Sequence, residues 1–346
     1  MIAVDVVPLE ALGTTELERW SRIQAAARVY RSPFFRPEFA QAVAALRDAR
    51  VAVLEEAGTI VGFFPFELAS RRVGRPLAWP RADYHGPVLD GSAEVDPRGL
   101  VRAAGLRTWS FDHLPAALDA FRRYASGSAM SPYLDVSQGF DAYIEGRRAR
   151  SEVRETLRKA RKLEREVGPV RVVLDAPAEL LETLVEWKRQ QYAETGVRDV
   201  LADSENRELL PRVLETRSGR FAGTLSCLYA GDELAALLLG VRSGGVLHSW
   251  FPAFNVTLSR YSPGLVLLLE LARAAASLGI VEIDLGKGDA RYKSAFASDS
   301  EHLLEGWIGA RAGSTLPLRL RSSAHGQLKR IGVHRAVRRA LHRLRG

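Results

Sequence analysis

A short segment in the last quarter of the chain concentrates side chains that can move protons. It runs from residue 284 to 289 as Asp-Leu-Gly-Lys-Gly-Asp and is followed by Tyr292 and Lys293. Tyr292 has the chemistry of a general acid, Lys293 that of an electrophilic stabiliser, and Asp284 or Asp289 that of a base or an orienting group. The alternative interpretation is a solvated turn held by a salt bridge.

A second segment, Tyr261-Ser262-Pro263-Gly264, opens a long apolar stretch. The serine is a favourable helix N-cap, the proline suits the first helical position, and the glycine lets a ligand approach the backbone. A helix N-terminus attracts anions through its unpaired amides and its dipole. The alternative is a well-capped core helix that binds nothing. The amides that would face an anion are those of Gly264, Leu265 and Val266.

The elements around these segments are predicted from periodicity and turn residues. Strands at 224–230, 234–241 and 246–251 precede an apolar helix at 264–278 and a buried strand at 280–285. Ligands of open α/β sheets bind beyond the carboxyl ends of strands. We therefore expect the 284–293 segment to lie at a ligand-binding edge.

The N-terminal half repeats this order more weakly. It has predicted helices at 32–46 and 98–106 and strands at 51–54, 59–66 and 107–111, and helices at 147–167 and 178–195 follow. The repeat indicates an internal duplication. The prediction is an α+β fold of two similar domains, each a mixed, mostly antiparallel sheet with flanking helices. The predicted divisions are residues 1–130, 131–316 and a tail at 317–346.

Taken in order, these motifs resemble the CelD/BcsL-type acyltransferases, a branch of the GNAT superfamily. The resemblance covers about residues 30 to 308 and is similar in turn to the Fem-type aminoacyltransferases, whose aromatic-Lys-x-x-Phe segment is matched by residues 292–296. The motifs that carry it are Ser32-Pro33-Phe34-Phe35, Asp83-Tyr84 with Gly86-Pro87, Ser131 to Asp135, Trp250 to Phe254, Tyr261 to Gly264, Asp284-Leu285, and Gly288-Asp289 with Tyr292-Lys293.

The resemblance implies tandem GNAT-like domains, an acyl-CoA co-substrate, an amine acceptor and no metal. The N-terminal domain would shape the acceptor side, and His85 is expected at the surface. One departure concerns the donor, because the loop around the pyrophosphate carries a single glycine, Gly264. The implied residues are Tyr292, Lys293, Asp289 and Asp284 for catalysis, Tyr261, Ser262, Gly264, Leu265 and Val266 for the donor, and Trp250, Asp83 and Tyr84 for the substrate.

The basic charge of the chain is concentrated near its C-terminal end. No acidic residue follows Glu305, whereas ten lysines and arginines do, against a net charge of +8 for the whole sequence. The tail is predicted to be a helix that packs on the body, binds an anionic lipid surface or binds RNA. We favour the first two because no aromatic residue that could stack on bases follows Trp307.

The remaining composition favours a soluble cytoplasmic protein, peripheral at the inner membrane face if the tail binds lipid. The N-terminus lacks a secretion signal, and the apolar run at 265–269 is too short to span a bilayer. The single cysteine, Cys227, excludes an internal disulfide and is expected to be a buried structural thiol. Three functions stay open: an acyl-CoA-dependent N-acyltransferase, an aminoacyl-tRNA-dependent transferase, and a non-catalytic interaction module.

Overall fold

The computed structural model describes residues 2–311, so the predicted tail and its basic residues lie outside the described part. The described α-helices are α1 Thr14–Ala26, α2 Pro37–Ala44, α3 Pro97–Ala103, α4 Phe140–Glu145, α5 Ser151–Glu166, α6 Leu180–Thr195, α7 Ser204–Glu215, α8 Pro263–Ala274 and α9 Arg291–Phe296. The described strands are β1 Ala3–Pro8, β2 Ala49–Glu56, β3 Thr59–Ser70, β4 Val73–Arg75, β5 Val88–Leu89, β6 Thr108–Pro115, β7 Ala125–Asp135, β8 Val170–Val173, β9 Phe221–Ala230, β10 Glu233–Ser243, β11 Val246–Phe254, β12 Glu282–Asp284 and β13 Asp299–Gly309.

All thirteen described strands belong to one mixed sheet flanked by helices, which confirms the predicted fold class. The order along the sheet is β1-β2-β3-β4-β6-β13-β7-β12-β11-β10-β9-β8, with the short β5 paired to β3. The order is the same from either end: four strands, then a parallel partner for the fourth, then an exchanged strand. The topology thus shows the internal duplication that the sequence indicates.

The two halves exchange their closing strands at the centre of the sheet. Strand β13, from the end of the second half, lies between β6 and β7, and β7, from the first half, lies between β13 and β12. The predicted division after residue 130 falls inside β7. Each half therefore completes its sheet with a strand that the other half supplies.

Three buried clusters hold the helices on the sheet. One is shared by both halves, with Phe34 and Phe39 packing against Trp250 of β11. A second lies between the C-terminal sheet, α5 and α8, and the third lies in the N-terminal half together with Leu304 and Ile308 of β13. The predicted stripe of α5 faces inward through Val153 and Leu163, whereas the arginine face is exposed. The shared cluster fixes the two halves against each other.

The segments that sequence periodicity identified are elements of the structure with boundaries shifted by a few residues. The predicted helix at 32–46 consists of a 3-10 turn at Pro33–Phe35 and α2, and the apolar helix ends as a 3-10 segment at Ala275–Leu278. Cys227 is fully buried in β9, as expected. None of the described helices is both long and apolar enough to cross a membrane.

Candidate functional site

A gap between two parallel strands forms a cavity in the C-terminal half. Strands β11 and β12 pair only through three positions, the last being His248 opposite Asp284. Beyond His248, β11 continues to Phe254 without β12 beside it. The cavity at this gap has a volume of about 360 Å³. Its lining is Lys188, Gln191, Leu237, Leu238, Ser249, Pro252, Phe254, Ser259, Ser262, Gly264, Leu265, Leu267, Leu268, Leu285 and Tyr292.

Helix α6 covers the open edge of β11 with two polar side chains. Lys188 Nζ donates to the carbonyl of Pro252 at 2.9 Å, and Gln191 Nε2 donates to the carbonyl of Phe254 at 3.3 Å. Proline is tolerated in strands where its missing N–H faces no partner strand, which suits Pro252 at this edge. Burial, with a smaller effect of the Lys293 charge, lowers the pKa of Lys188 to about 8.

The start of α8 borders the same cavity, although its capping differs from the prediction. Ser262 takes a left-handed conformation (φ 52°) and its hydroxyl accepts from Lys159 Nζ at 2.9 Å instead of capping the helix. The amides of Leu265 and Val266 both donate to the Ser262 carbonyl. Among the described residues, only Gly264 of these three keeps an amide without a backbone acceptor. The predicted row of three anion-facing amides is therefore reduced to one, with Lys159 beside it.

Tyr292 is the predicted catalytic residue that lines the cavity. It is the second residue of α9, directly after the loop that leaves β12. Burial raises the pKa of its hydroxyl, so the phenol stays protonated at neutral pH. Tyr292 thus has the position and the protonation state of a proton donor.

A carboxylate–histidine–carboxylate arrangement lies at the closed end of the gap. His248 is fully buried; its Nε2 lies 2.8 Å from Asp83 Oδ2, and its Nδ1 lies 3.5 Å from Asp284 Oδ1. Burial alone would lower the pKa of His248, but the two carboxylates outweigh it and raise that pKa. Burial alone would raise the pKa of Asp83, but the hydrogen bond and charge of His248 lower it.

Asp284 is a structural anchor rather than an exposed base. Its carboxylate accepts from Tyr84 OH at 2.6 Å, from Ser131 Oγ at 3.0 Å and from the amide of Gly286 at 2.7 Å. Tyr84 is buried, and burial together with the charge of Asp284 raises its pKa well above the usual value. The N-terminal half therefore contributes two residues to the site. Asp83 contacts His248 directly, and Tyr84 donates to Asp284 on the other side of the imidazole ring.

Lys293 holds the loop after β12 from the inside. Its Nζ donates to the carbonyls of Gly286 at 2.9 Å and Lys287 at 3.0 Å. Gly286 has φ 73°, and a Cβ built on it would lie 2.6 Å from Asp83 Oδ2. Burial lowers the pKa of Lys293, and Asp83, Asp284 and Asp289 oppose this only in part. Loop, lysine and Asp83 thus form one rigid group.

Other predicted site residues lie away from the cavity lining. Asp289 is exposed, and its charge reaches Lys293. Trp250 is in the shared core and donates from Nε1 to the Arg81 carbonyl. Tyr261 is fully buried with its hydroxyl on Glu166, and Val266 is buried in the core of α8. Trp250, Tyr261 and Val266 therefore point into the core, whereas Asp289 points into solvent.

His85, expected at the surface, is buried in the N-terminal half. It belongs to a group with Asp112 and His113 whose potential ligand atoms lie within 4.8 Å of one another. However, His85 Nε2 accepts from the amides of both Asp112 and His113 at 3.1 Å. That lone pair is used, so Nδ1 carries the proton of the neutral ring and neither nitrogen suits a metal ion. Burial lowers the pKa of His85 to about 3, in keeping with a neutral ring.

Two residues of the site, His248 and Lys188, escaped sequence reasoning. His248 is the one ionisable residue of strand β11, and Lys188 lies on a helix of mixed pattern. A polar residue on the inward side of a buried strand was the available signal for His248. For Lys188 the sequence carries no signal, because only the fold shows that this side of α6 covers the gap.

Comparison with known proteins supports the GNAT superfamily. Residues 151–294 match the acetyltransferase (GNAT) domain family. That segment contains Lys188, His248, Tyr292 and Lys293, but not Asp83. No curated protein matches the sequence.

Solved structures resemble the fold across most of the chain. The C-terminal domain of a putative lysylphosphatidylglycerol synthetase from Agrobacterium fabrum is 13% identical with a TM-score of 0.53, over 90% of this chain and 95% of that one. FemX is 10% identical with a TM-score of 0.59, over 90% and 98%. A conserved protein of unknown function from Bacteroides thetaiotaomicron is 9% identical with a TM-score of 0.54, over 84% and 97%. At these identities the likeness shows the fold alone.

Proposed function

Starting from a GNAT domain at residues 151–294, we propose that the protein transfers an acyl group from an acyl-CoA to an amine. The observation that carries this proposal is the cavity at the β11–β12 gap, bordered by a helix N-terminus and by the protonated phenol of Tyr292. The apolar lining suits the acyl and pantetheine chain. Polar groups are few and fixed, as is usual for ligand sites.

The donor phosphates would lie at the start of α8. Gly264 offers an amide and space, since a Cβ there would meet only Phe254 at 3.7 Å. Lys159 stands against Ser262 and adds a positive charge where the helix dipole already favours an anion. One amide with a lysine would replace the glycine-rich loop that the sequence lacks.

The chemistry requires an amine, a thioester and a proton donor. The acceptor nitrogen attacks the acyl carbon, the carbon–sulfur bond breaks, and Tyr292 gives its proton to the leaving thiolate. The acceptor attacks as the free amine, and the extra proton that its nitrogen carries after attack passes to solvent or to the tyrosinate. Lys188, which is still mostly protonated at pH 7 with a pKa of about 8, stabilises the oxyanion from the β11 edge. Asp83, kept ionised by His248, attracts the acceptor as an ammonium, which loses a proton to solvent before its nitrogen attacks.

The second candidate is an aminoacyl-tRNA-dependent transferase. The observation that favours it is the exposed arginine face of α5, together with the single unpaired amide at α8. The exposed arginines of that face are Arg154, Arg158, Arg161 and Arg165. A row of arginines suits contact with a phosphate backbone.

One experiment separates these functions. Thermal unfolding is measured with acetyl-CoA, a long-chain acyl-CoA and a charged tRNA. A ligand at about 100 times its dissociation constant stabilises by roughly 2.7 kcal/mol. Stabilisation by an acyl-CoA supports the proposal, and stabilisation by charged tRNA alone transfers it to the second candidate. Stabilisation by none of these ligands would favour the third function, a non-catalytic interaction module.

A further inference from the structure

A second cavity, of about 520 Å³, lies at the opposite end of β11 from the cavity at the β11–β12 gap. It is formed where the Arg28–Arg36 region of the first half meets two turns of the second half, at residues 218–222 and 242–246. Of its lining residues between positions 2 and 311, five are arginines and none is acidic. They are Arg28, Arg31, Arg36, Arg220 and Arg242.

Two of the arginines are fixed in place by partners behind the cavity. Arg36 is buried and bonded to Gln24 at 3.0 Å and to Glu38 at 2.7 Å. Arg31 donates from Nε to Glu282 at 2.7 Å, and its Nη1 lies 2.7 Å from Glu301. The remaining nitrogen of Arg31, Nη2, is buried and has no hydrogen-bond partner within residues 2–311. A buried guanidinium nitrogen without an acceptor is costly unless a ligand supplies one.

The other three arginines carry charge that the described protein neutralises little. No side-chain partner of Arg220 or Arg242 is found within residues 2–311, and Arg28 reaches Glu282 only at 3.6 Å with its side chain 69% exposed. Among the described residues, only three carboxylates contact the five guanidinium groups, those of Glu38, Glu282 and Glu301. The cavity therefore has a net positive charge, and its arginines repel one another without an anion between them.

We propose that this arginine pocket binds the phosphate or diphosphate group of a ligand. Guanidinium groups match phosphate oxygens in pairs, and such charge-assisted hydrogen bonds are short and strong. The Ser243-Gly244-Gly245 turn at the rim has small side chains, so the ligand can approach the backbone. The volume exceeds that of a bare phosphate and is within the usual range for small-molecule pockets.

The arginine pocket is separate from the cavity at the β11–β12 gap but close to His248 at the closed end of that gap. Val246 lines it, and His248 lies two residues further along β11, about 7 Å away at strand spacing. Phe34, between Arg31 and Arg36, packs its ring edge-on to His248 with centroids 4.9 Å apart. A phosphate-bearing ligand would thus contact the same segment, residues 31–36, that packs against His248. The binding proposal does not depend on acyl transfer.

The test is calorimetric titration of the full chain with inorganic pyrophosphate, and of phosphatidylglycerol vesicles in a second arm. We expect pyrophosphate to bind with an affinity that falls as salt rises. Arg220→Gln and Arg242→Gln leave the fixed arginines untouched, and each should weaken binding by roughly tenfold. Arg71→Gln, an exposed arginine in the β3–β4 turn, is the matched control and should bind as the unmodified protein does.

The two probes distinguish where the phosphate comes from. Binding of pyrophosphate that the pocket variants lose assigns a soluble ligand, and binding of vesicles alone, lost in the same variants, assigns a lipid headgroup. Failure of both probes to bind, or equal binding by Arg220→Gln/Arg242→Gln and Arg71→Gln proteins, overturns the proposal. Acyl-CoA stabilisation measured in parallel shows whether the proposed function fails as well.

Discussion

Asp83 and His248 join the two halves of the chain through a 2.8 Å contact between Oδ2 and Nε2. One residue comes from a loop of the first half and the other from the inner face of β11. Gly286 lies flat against both, since a Cβ on it would be 3.5 Å from His248 Nε2. The contact therefore fixes the loop after β12, which leads into Tyr292 and Lys293 of α9.

This contact predicts a specific pH dependence. The pKa of His248 is raised, so its stabilisation is present below about pH 6.5 and is lost as pH rises through the folded value. The pKa of Asp83 is lowered, so its stabilisation is present above about pH 3.9 and is lost as pH falls through the folded value. His248→Gln should cost about 3 kcal/mol near pH 6 and less at pH 9, measured by urea unfolding. His302→Gln, at an exposed position, is the control; an equal loss at every pH would contradict the pairing.

Lys188 should show a conflict between stability and activity. Its pKa of about 8 means that the unfolded chain binds more protons between pH 8 and 10.5, so stability rises with pH there. Lys188→Met should raise the free energy of unfolding by about 1–3 kcal/mol at pH 7. The variant should also lack the rise of stability with pH that the lysine causes, and its kcat should be lower. Gln191→Leu removes the neighbouring donor to β11 without a charge and should leave the pH dependence unchanged. A destabilised Lys188→Met protein at pH 7 would refute the burial cost.

Tyr292→Phe should lower kcat by about 10² with little change in donor KM, because the phenol acts only when the thiolate leaves. The leaving group offers a further check. A donor with a more acidic thiol needs less proton donation, so its rate should fall less. Tyr229→Phe, half-buried on β9, serves as the control. Near-normal turnover by Tyr292→Phe would show that the tyrosine only shapes the cavity.

Lys293→Ala should loosen the loop at residues 286–288 and so misplace Tyr292, which should lower kcat by about 10². The amides of that loop should then exchange faster with deuterium, since the lysine bonds to two of its carbonyls. Ser294→Ala, the next exposed residue of α9, controls for helix disruption. Slow exchange with full activity in Lys293→Ala would remove the lysine from both roles.

Gly264→Val should raise the donor KM by about tenfold, as expected for the loss of one hydrogen bond to a charged group, without unfolding the protein. The added side chain has room within the protein, because Phe254 lies 3.7 Å away, but it occupies the approach to the free amide. Gly91→Val, where a Cβ meets nothing within 4 Å, is the matched control. Unchanged donor kinetics in a folded Gly264→Val protein would place the phosphates elsewhere.

Local pattern predicted what local forces determine. The period of α5 and the apolar run of α8 decide their secondary structure and inward faces, so both were predicted from the sequence. Contacts such as Asp83 with His248, 165 residues apart, depend on which strands meet, and no short pattern encodes that. The prediction that the amides of Leu265 and Val266 face an anion failed for a related reason. Ser262 is left-handed, and its carbonyl accepts hydrogen bonds from both amides.

The exchange of β7 and β13 bears on how the chain reaches its fold during synthesis. The first half cannot fill the space between β6 and β7 until residues 299–309 have been made. Long-range pairing of this kind slows folding and leaves strand edges open in the meantime. An N-terminal fragment that ends before β13 keeps two unpaired edges at its centre. We expect it to aggregate or to recruit the missing strand from a second chain, so the halves are one cooperative unit rather than two interchangeable modules.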